Sequence, residues 1–346
     1  MIYRELGKTG YRVSQLGFGA MRLPMVGEGE EQRVDRELAI PMIHRAFEAG
    51  LNYIDSAVGY CNQDSQRAVG EALKGWRDRV VLSTKNHYYG EDKGEWWGHL
   101  EDSLERLDVE YIDIYNHHGI NWKRYTEDVE PRVSKWMREA LDQGLIKHIC
   151  CSFHDDNEAL KRIVDTGYVE SITLQYNLLN RDLEEGIAYA HEKGLGVVVM
   201  GPVGGGRLSI MPKTIRELAG LSATNAAELA LRYVWSHPGV DVAISGMGTV
   251  EMVEQNCAAA DKGPLSADEA DTNLTAAYEE ALANEQYAEA ELAAKRRLQQ
   301  AILDGQGEQL SMAGLLNDLA FAQLYNDDYD AALQNYELAI SIVETN

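Results

Sequence analysis

Several features are scarce or missing in this chain of 346 residues, and each absence excludes a class of protein. The chain has only four cysteines, Cys61, Cys150, Cys151 and Cys257, and their spacing shows no disulfide framework. Apolar runs stay shorter than the roughly 18 residues that a membrane-spanning helix needs. The first residues contain no apolar signal core. We therefore expect a protein of the reducing cytoplasm that has no membrane partner.

Positive charge is also scarce, with 32 Lys and Arg against 56 Asp and Glu and a formal net charge of −24. Binding to nucleic acid needs clustered Lys and Arg, so no nucleic-acid partner is expected. The acidic excess is greatest at the end of the chain, where residues from 259 onward include 17 Asp and Glu but 4 Lys and Arg. This shift in composition predicts a domain boundary, with domains at 1–262 and 263–346.

Short β-rich runs alternate with longer amphipathic stretches over the first 250 residues. Eight such runs are found, at Gln15–Gly19, Tyr53–Ser56, Val80–Thr84, Tyr111–Asn116, His148–Ser152, Ser171–Tyr176, Gly196–Met200 and Val240–Ser245. Five of the intervening stretches predict helices, at Leu38–Ala49, Leu100–Leu107, Val133–Gln143, Asp182–Lys193 and Asn225–Ser236. This alternation predicts an α/β fold, a parallel (β/α)8 TIM barrel. A doubly wound open sheet is the rival, but the only glycine-rich phosphate pattern, Gly201–Gly206, follows the seventh run and lacks a suitably spaced acid.

The region 263–346 is rich in Ala and Glu and predicts an all-α tail. Its small and aromatic residues match the spacing of a tetratricopeptide-like helix pair, with Ala320, Tyr329, Ala332, Tyr336 and Ala339 as the matching positions. Such a tail could bind a protein partner. The alternative is two or three ordinary amphipathic helices, because one repeat is too few to be stable alone.

Four ionisable residues follow three consecutive predicted strands, where the active-site mouth of a parallel barrel lies. Reduction of a carbonyl needs a hydride donor and an acid that protonates the developing alkoxide. Tyr60 is the predicted acid, and a neighbouring Lys85 would lower its pKa. Asp55 would hold the lysine, and His118 would orient the carbonyl. The hydride must come from a cofactor.

These residues belong to motifs that resemble the aldo-keto reductase family over about residues 1–258. The motifs are Tyr3–Gly10, Val13–Gly19, Tyr53–Tyr60, Leu82–Lys85, Leu104–Leu107, Tyr111–Gly119, Gln175–Asn177 and Ser245–Asn256. The resemblance implies a barrel with a short N-terminal hairpin at its bottom. It also implies the catalytic tetrad Asp55, Tyr60, Lys85 and His118, and His118 rather than His117 matches the family histidine because it precedes a glycine.

The resemblance further implies that NADPH or NADH is the cofactor. The matching positions are Ala20, Met21, Asp55, Ser152, Gln175, Met200, Gly201, Pro202, Gly204, Gly206, Gly246, Gly248, Thr249, Gln255 and Asn256. Two positions depart from the family pattern. Phe153 replaces the usual Asn, and Met252 replaces the Arg of many NADPH-preferring members. No Lys or Arg occurs from Gly246 to Asn256, so a 2′-phosphate would lack its usual charged partner there.

No metal or iron–sulfur cluster is expected. Family members with similar sequence motifs often carry a ferredoxin-like tail, but no cysteine follows Cys257 to hold a cluster. A second group, His148, Cys150, Cys151 and His154, is spaced too widely along a strand to surround one zinc ion.

Two functions remain open from the sequence. The first is reduction of aldehydes or ketones to alcohols by an NAD(P)H-dependent oxidoreductase. The alternative is a nucleotide-binding sensor or scaffold whose helical tail binds a protein. The substrate would be a small carbonyl compound, selected by the long loops Pro24–Arg36 and Tyr88–Trp97. Four aromatic residues are candidates for lining the mouth, namely Trp96, Trp97, Trp122 and Tyr125.

Overall fold

A computed structural model describes residues 1–209 and 225–266. Eight parallel strands close into a barrel in which neighbours in the chain are neighbours in the sheet. The barrel strands are β3 (Leu16–Gly19), β6 (Tyr53–Asp55), β7 (Val81–Asn86), β8 (Ile112–Ile120), β9 (Ile146–Phe153), β10 (Ser171–Gln175), β11 (Gly196–Met200) and β12 (Val242–Ser245). All eight predicted strands are confirmed, although β7, β8 and β9 run beyond their predicted ends.

Helices follow the strands and form the outer layer. The described helices of more than three residues with α geometry are Arg36–Glu48, Ser65–Leu73, Lys93–Leu107, Ser134–Asp142, Asn157–Asp165, Glu184–Glu192, Ala226–Ser236 and Val250–Lys262. A short turn at Trp122–Arg124 and a π-helical stretch at Tyr125–Val133 precede the fourth of them. The five predicted helices are confirmed, but Ser65–Leu73, Asn157–Asp165 and Val250–Lys262 were missed. Asn157–Asp165 buries Ala159, Leu160, Ile163 and Val164 on one face, so its apolar periodicity was present in the sequence, whereas Val250–Lys262 buries mostly small residues.

The bottom of the barrel is closed by a hairpin, as predicted. Strands β1 (Tyr3–Glu5) and β2 (Arg12–Ser14) pair in antiparallel fashion. Leu6 and Val13 of this hairpin are fully buried and pack with barrel residues that include Tyr53, Ile114 and Val198. A second small hairpin, β4 (Met25–Val26) and β5 (Arg33–Val34), lies in the loop after β3. The barrel therefore has one open end, at the carboxyl ends of its strands.

Two glycines of the bottom hairpin allow a matched test of this closure. Both have positive φ angles, +50° at Gly7 and +80° at Gly10, but only Gly7 is in contact with the barrel. A Cβ at Gly7 would lie 2.1 Å from the backbone nitrogen of Gly196, whereas nothing lies within 4 Å at Gly10.

We expect Gly7→Ala to reduce the free energy of unfolding more than Gly10→Ala does. Each alanine adopts a left-handed conformation, which costs roughly 1–2 kcal/mol. The clash at Gly7 adds about 1–3 kcal/mol. Chemical denaturation of both variants measures the difference, and equal losses would show that the hairpin does not pack against the barrel as described.

The first residues of the chain are bonded to elements near the end of the barrel. The guanidinium group of Arg4 donates to the backbone oxygens of Val240 and Trp235, the latter at 2.9 Å. The side-chain amide of Gln15 donates to the oxygen of Ala260 at 2.8 Å. Strand β3 pairs with β12 to complete the barrel. The N-terminal segment and the last strand thus depend on each other.

The predicted boundary at residue 262 coincides with the end of the helix Val250–Lys262. The following residues still contact the barrel, because Leu265 donates its backbone N–H to Ser236 Oγ at 2.9 Å. Of the tetratricopeptide-like tail predicted at 263–346, residues 267–346 lie outside the described residues, and so does the predicted binding of a protein partner by its helices. Within residues 1–209 and 225–266, no helix has the length and apolar character needed to cross a membrane.

Candidate active site

The four predicted catalytic residues lie at the carboxyl ends of three adjacent strands. Asp55 is the last residue of β6, Lys85 lies near the end of β7, and His118 lies near the end of β8. Tyr60 is on the loop that follows β6. Because β6, β7 and β8 are neighbours in the barrel, these side chains meet at one place.

Lys85 and Asp55 form a buried ion pair at the centre of this group. Lys85 Nζ lies 2.6 Å from Asp55 Oδ2 and donates to the oxygen of Ser56 at 2.8 Å. The other carboxylate oxygen accepts from Ser83 Oγ at 2.8 Å. Burial alone would lower the pKa of Lys85, but Asp55 and Tyr60 outweigh it and raise the pKa above the usual value. The lysine therefore stays charged.

The ring of Tyr60 lies over the ammonium group, with Lys85 Nζ 5.0 Å from the ring centroid. The expected lowering of the tyrosine pKa is wrong in its net sign. Burial is the largest effect and raises the pKa of Tyr60 above 10, although the charge of Lys85 acts in the opposite direction. Tyr60 thus remains a phenol throughout the neutral pH range and has a proton to donate.

His118 faces Tyr60 from the neighbouring strand. The two ring centroids are 6.5 Å apart and the rings are nearly perpendicular. Burial, helped by the charge of Lys85, lowers the pKa of His118 to about 4, so the imidazole is neutral. The adjacent His117 points elsewhere, because its Nε2 is 2.9 Å from the hydroxyl of Tyr168. The geometry therefore separates the two histidines in the way that the sequence motif suggested.

The loop after Tyr60 has an unusual backbone. Cys61, Asn62 and Gln63 have φ angles of 50°, 54° and 64°, three consecutive left-handed residues without a glycine among them. Cys61 Sγ contacts the oxygen of Met21 at 3.4 Å, which joins this loop to the end of β3. Left-handed non-glycine residues cost free energy and often occur at functional sites. This turn sets the position from which the Tyr60 ring reaches Lys85.

The predicted cofactor-binding residues lie on the strands that continue around the barrel. Ser152 is the last residue but one of β9, Gln175 ends β10 and Met200 ends β11, while Gly246 follows β12. Ala20 and Met21 follow β3, which closes the circle next to Asp55 on β6. Ser152 is buried and its Oγ accepts the backbone N–H of Gly119 at 2.8 Å. Asp55, which was predicted both as a catalytic and as a cofactor-binding residue, lies where the two sets of residues adjoin.

The glycine-rich stretch after β11 forms a tight turn. Gly201 has a φ of +65°, and Gly204, Gly205 and Gly206 have φ angles of 57°, 69° and 102°. Pro202 is buried beneath this turn. Successive glycines in such conformations allow a backbone to approach a phosphate closely.

Arg22 is a residue that the sequence analysis missed. Its Nη1 donates to the oxygen of Gly205 at 3.1 Å, and a Cβ at Gly246 would lie 3.9 Å from its Cβ. The exposed Arg22 side chain therefore runs from the end of β3, past Gly246, to the turn after β11. The only sequence signal was a basic residue next to two predicted cofactor positions.

The helix Val250–Lys262 begins shortly after the end of β12 and Gly246. Thr249 caps it, with its Oγ1 accepting the N–H of Met252 at 3.2 Å. Met252 is 49% exposed, and its Sδ is 3.5 Å from the backbone nitrogen of Gly248. Gln255 is exposed on the first turns, whereas Asn256 is buried and donates to Ser245 Oγ at 3.2 Å. Glu251 adds a negative charge at this helix start.

Two supporting polar residues also escaped the sequence analysis. Ser83 pairs in register with Asp55, and Asn116 donates to Ser83 Oγ at 3.1 Å. Ser83 could have been found, since it lies two positions before Lys85 and residues two apart share one face of a strand. In contrast, Trp96 does not line the mouth, because it is fully buried among Trp97, Tyr115 and Trp136.

The cysteines and the candidate metal ligands have other partners. All four cysteines are free thiols, as predicted. His148 Nδ1 is 2.9 Å from Glu170 Oε2, and Cys150 Sγ accepts from Ser171 at 3.0 Å. Over the part of the chain that the structure describes, no group of three or more His, Cys, Asp or Glu could hold a metal ion.

Comparison with known proteins adds independent support to this arrangement. A model of the aldo/keto reductase family matches residues 15–276, which is more than half of the chain. The chain belongs to this family. Its relatives include proteins named as an oxidoreductase and a methylglyoxal reductase, and the barrel is accordingly that of an oxidoreductase.

Two bacterial relatives illustrate the similarity of this aldo/keto reductase. An uncharacterized oxidoreductase, YqkF of Bacillus subtilis, is 27% identical over 299 residues, which cover 77% of this chain and 93% of the relative. A methylglyoxal reductase of Escherichia coli, YeaE, is 28% identical over 251 residues, covering 69% and 86%. Among solved structures, the holo form of aldo-keto reductase AKR11C1 from Bacillus halodurans is 29% identical with a TM-score of 0.66. That match covers 80% of this chain and 95% of the solved chain.

Proposed function

We propose that this aldo/keto reductase reduces an aldehyde or ketone to the alcohol, with the hydride from NADH or NADPH and the proton from Tyr60. The observation that carries the proposal is the buried pair of Lys85 and Asp55, 2.6 Å apart, beneath the ring of a protonated tyrosine. A neutral histidine, His118, faces the same ring. This combination holds one transferable proton beside one fixed positive charge.

The proton transfer follows from these charges. A bound dihydronicotinamide would supply the hydride, and the residues of the site act on the carbonyl oxygen, which gains negative charge during reduction. Tyr60 donates its phenolic proton to that oxygen, and the resulting tyrosinate is stabilised by the ammonium group of Lys85. Asp55 keeps the ammonium group in place and charged. His118, as a neutral imidazole, donates one N–H to orient the carbonyl oxygen.

The residues of the adjoining groove fit a dinucleotide. The left-handed turn at Gly204–Gly206 accommodates a close phosphate, and Arg22 offers a positive charge beside it. Ser152 and Gln175 are proposed to bind the nicotinamide amide. Gly246, Gly248, Thr249, Gln255 and Asn256 are proposed to bind the adenosine half.

We propose NADH as the preferred form. The start of the helix Val250–Lys262 lacks a cation and carries the carboxylate of Glu251. Two backbone N–H groups at this helix start already have acceptors. Gly248 N–H donates to Met252 Sδ, and Met252 N–H donates to Thr249 Oγ1. Among the described residues, a 2′-phosphate would meet a negative charge and no unused charged donor there, whereas a ribose hydroxyl meets neither difficulty.

Introducing a cation at this helix start should reverse the preference. We expect Met252→Arg to tighten NADPH binding by about 10-fold or more, as one charge-assisted contact does, while changing NADH binding little. Quenching of tryptophan fluorescence, measured without substrate, gives both dissociation constants. Met252→Gln, which adds no charge, is the control. Tighter binding of NADPH than of NADH by the unaltered protein would contradict the proposal.

Turnover tests the proposed reaction directly. Purified protein should oxidise NADH or NADPH only when an aldehyde is present, and one alcohol should form for each nucleotide consumed. Methylglyoxal is a suitable first substrate because a relative is named as its reductase. Nucleotide binding without any aldehyde-dependent oxidation, over a panel of aldehydes and ketones, would overturn the proposal.

A further inference from the structure

An arginine that has no carboxylate partner among the described residues is bonded next to the proposed catalytic histidine. Arg124 Nη1 donates to the oxygen of Gly119 at 2.8 Å, and Gly119 directly follows His118. The guanidinium carbon lies 4.8 Å from the ring centroid of Tyr89. Tyr89 in turn donates its hydroxyl to the oxygen of His118 at 2.8 Å. Arg124 is thus held near His118 by two contacts, a hydrogen bond to the oxygen of Gly119 and the ring of Tyr89.

The contacts of Arg124 hold it in place without neutralising it. A backbone oxygen and a tyrosine ring carry no net charge, and the side chain is exposed. In the part of the chain that the structure describes, no carboxylate lies within salt-bridge distance of Arg124. A guanidinium group has five N–H donors, so most of them remain for a ligand.

The neighbouring Arg132 shows the contrast. It also contacts the Tyr89 segment, because it donates to the oxygens of Tyr89 and Gly90. However, its Nη2 lies 2.6 Å from Asp128 Oδ1, so its charge is paired. Arg132 therefore holds the Tyr89 segment and has its charge paired by Asp128. Arg124 is held against the same segment but has no carboxylate partner among the described residues, so its charge is available to a ligand.

Other charged and titratable side chains lie near Arg124 and His118. Arg162 lies over Trp122, at 5.6 Å from guanidinium carbon to ring centroid. Asp155 accepts the backbone N–H of Trp122 at 3.0 Å, and Asp128 is paired with Arg132. His87 and His154 are near enough to affect the pKa of His118. Asp155 and Asp128 are therefore bonded to groups other than Arg124.

We propose that Arg124 binds an anionic group of the substrate, so that the preferred substrates are carbonyl compounds carrying a carboxylate. A guanidinium group matches the planar carboxylate with two parallel hydrogen bonds. The attachment of Arg124 to Gly119 places that anchor next to His118, which orients the reacting carbonyl. Arg124 is therefore a specificity-determining residue for the same site. This inference rests on the proposed reductase function.

The proposal is tested with two aldehydes that differ mainly in charge, 4-carboxybenzaldehyde and 4-formylbenzamide. The unaltered protein should reduce 4-carboxybenzaldehyde with the higher kcat/KM. Added KCl should bring the kcat/KM values of the two aldehydes closer together, because salt screens the charge interaction. Arg124→Met should lower kcat/KM for the carboxylate by about 10–100-fold, mainly through KM, which corresponds to one lost charge-assisted contact. The amide should change by less than about twofold. Arg124→Lys should retain part of the preference, since the charge remains.

The matched control is Arg79, which has the same kind of contacts at the other end of the barrel. Its guanidinium carbon lies 4.0 Å from the Trp76 ring, and its Nη2 donates to the oxygen of Gly75 at 2.9 Å. Arg79→Met removes an equal charge and should leave both substrates unaffected. If Arg124→Met lowered both substrates equally, or neither, the assignment of Arg124 as a carboxylate anchor would be overturned.

A binding measurement separates this inference from the proposed reaction. If neither aldehyde is reduced, the reductase function fails, but the anchor is still testable with benzoate and benzamide. Tryptophan fluorescence should then show that benzoate binds more tightly than benzamide and that Arg124→Met removes the difference. Equal binding of the two compounds by the unaltered protein would reject an anionic anchor independently of any catalysis.

Discussion

Replacing Tyr60 by Phe is expected to lower kcat for aldehyde reduction by about 10²–10⁴-fold, the usual contribution of a positioned general acid. The phenol is the group that holds a proton at neutral pH beside the reacting position, because its pKa is raised above 10 by burial. His118 cannot replace it as an acid, since its pKa of about 4 leaves it neutral. Steady-state kinetics on the purified variant measures the loss.

Two further measurements show whether Tyr60 acts in the chemical step. Nucleotide binding, followed by tryptophan fluorescence, should remain within about twofold, as expected when a group acts mainly in the transition state. Tyr3→Phe is the control for loss of a tyrosine hydroxyl, because Tyr3 donates to the oxygen of Gly50 at the barrel bottom. If Tyr60→Phe kept its full rate, the proton would have to come from another group and the mechanism proposed for Tyr60 would be wrong.

Replacing Lys85 by Met is expected to destabilise the protein as well as to abolish turnover. Lys85 and Asp55 have side-chain exposures of 2% and 3%, so the variant would leave a buried carboxylate without its counter-charge. Removing one member of a buried ion pair typically costs about 3–5 kcal/mol of unfolding free energy. Denaturant unfolding of the two proteins measures this difference, and loss of activity should accompany it.

A double variant distinguishes the two effects of Lys85. In Lys85→Met with Asp55→Leu, no charge remains buried without a partner, so much of the lost stability should return. Activity should not return, because tyrosinate would still lack the ammonium group that stabilises it. Unchanged stability in Lys85→Met would show that the pair is not buried as described. Recovered activity in the double variant would remove Lys85 from the proposed mechanism.

The sequence was sufficient to predict the barrel and the meeting of Asp55, Lys85 and His118. Strand ends in a parallel barrel share one face, so position along the chain determines which side chains converge. The sign of the Tyr60 pKa shift could not be predicted, because it depends on whether burial or the charge of Lys85 is larger. The positions of the Arg22 and Arg124 side chains could not be predicted either, because they depend on which backbone oxygen each guanidinium group reaches. For Arg22 that oxygen belongs to a residue 183 positions later in the chain.

The bonds that join the N-terminal segment to the end of the barrel have a consequence for synthesis. Arg4 has partners 231 and 236 residues later, and Gln15 has one 245 residues later. These partners do not yet exist while the ribosome is making the first half of the chain. Leu6 and Val13 also pack in one cluster with Val198 and Val242, which are likewise made after the first half of the chain. The hairpin that closes the barrel is thus made first but reaches its final contacts only after the last strand of the barrel has been made.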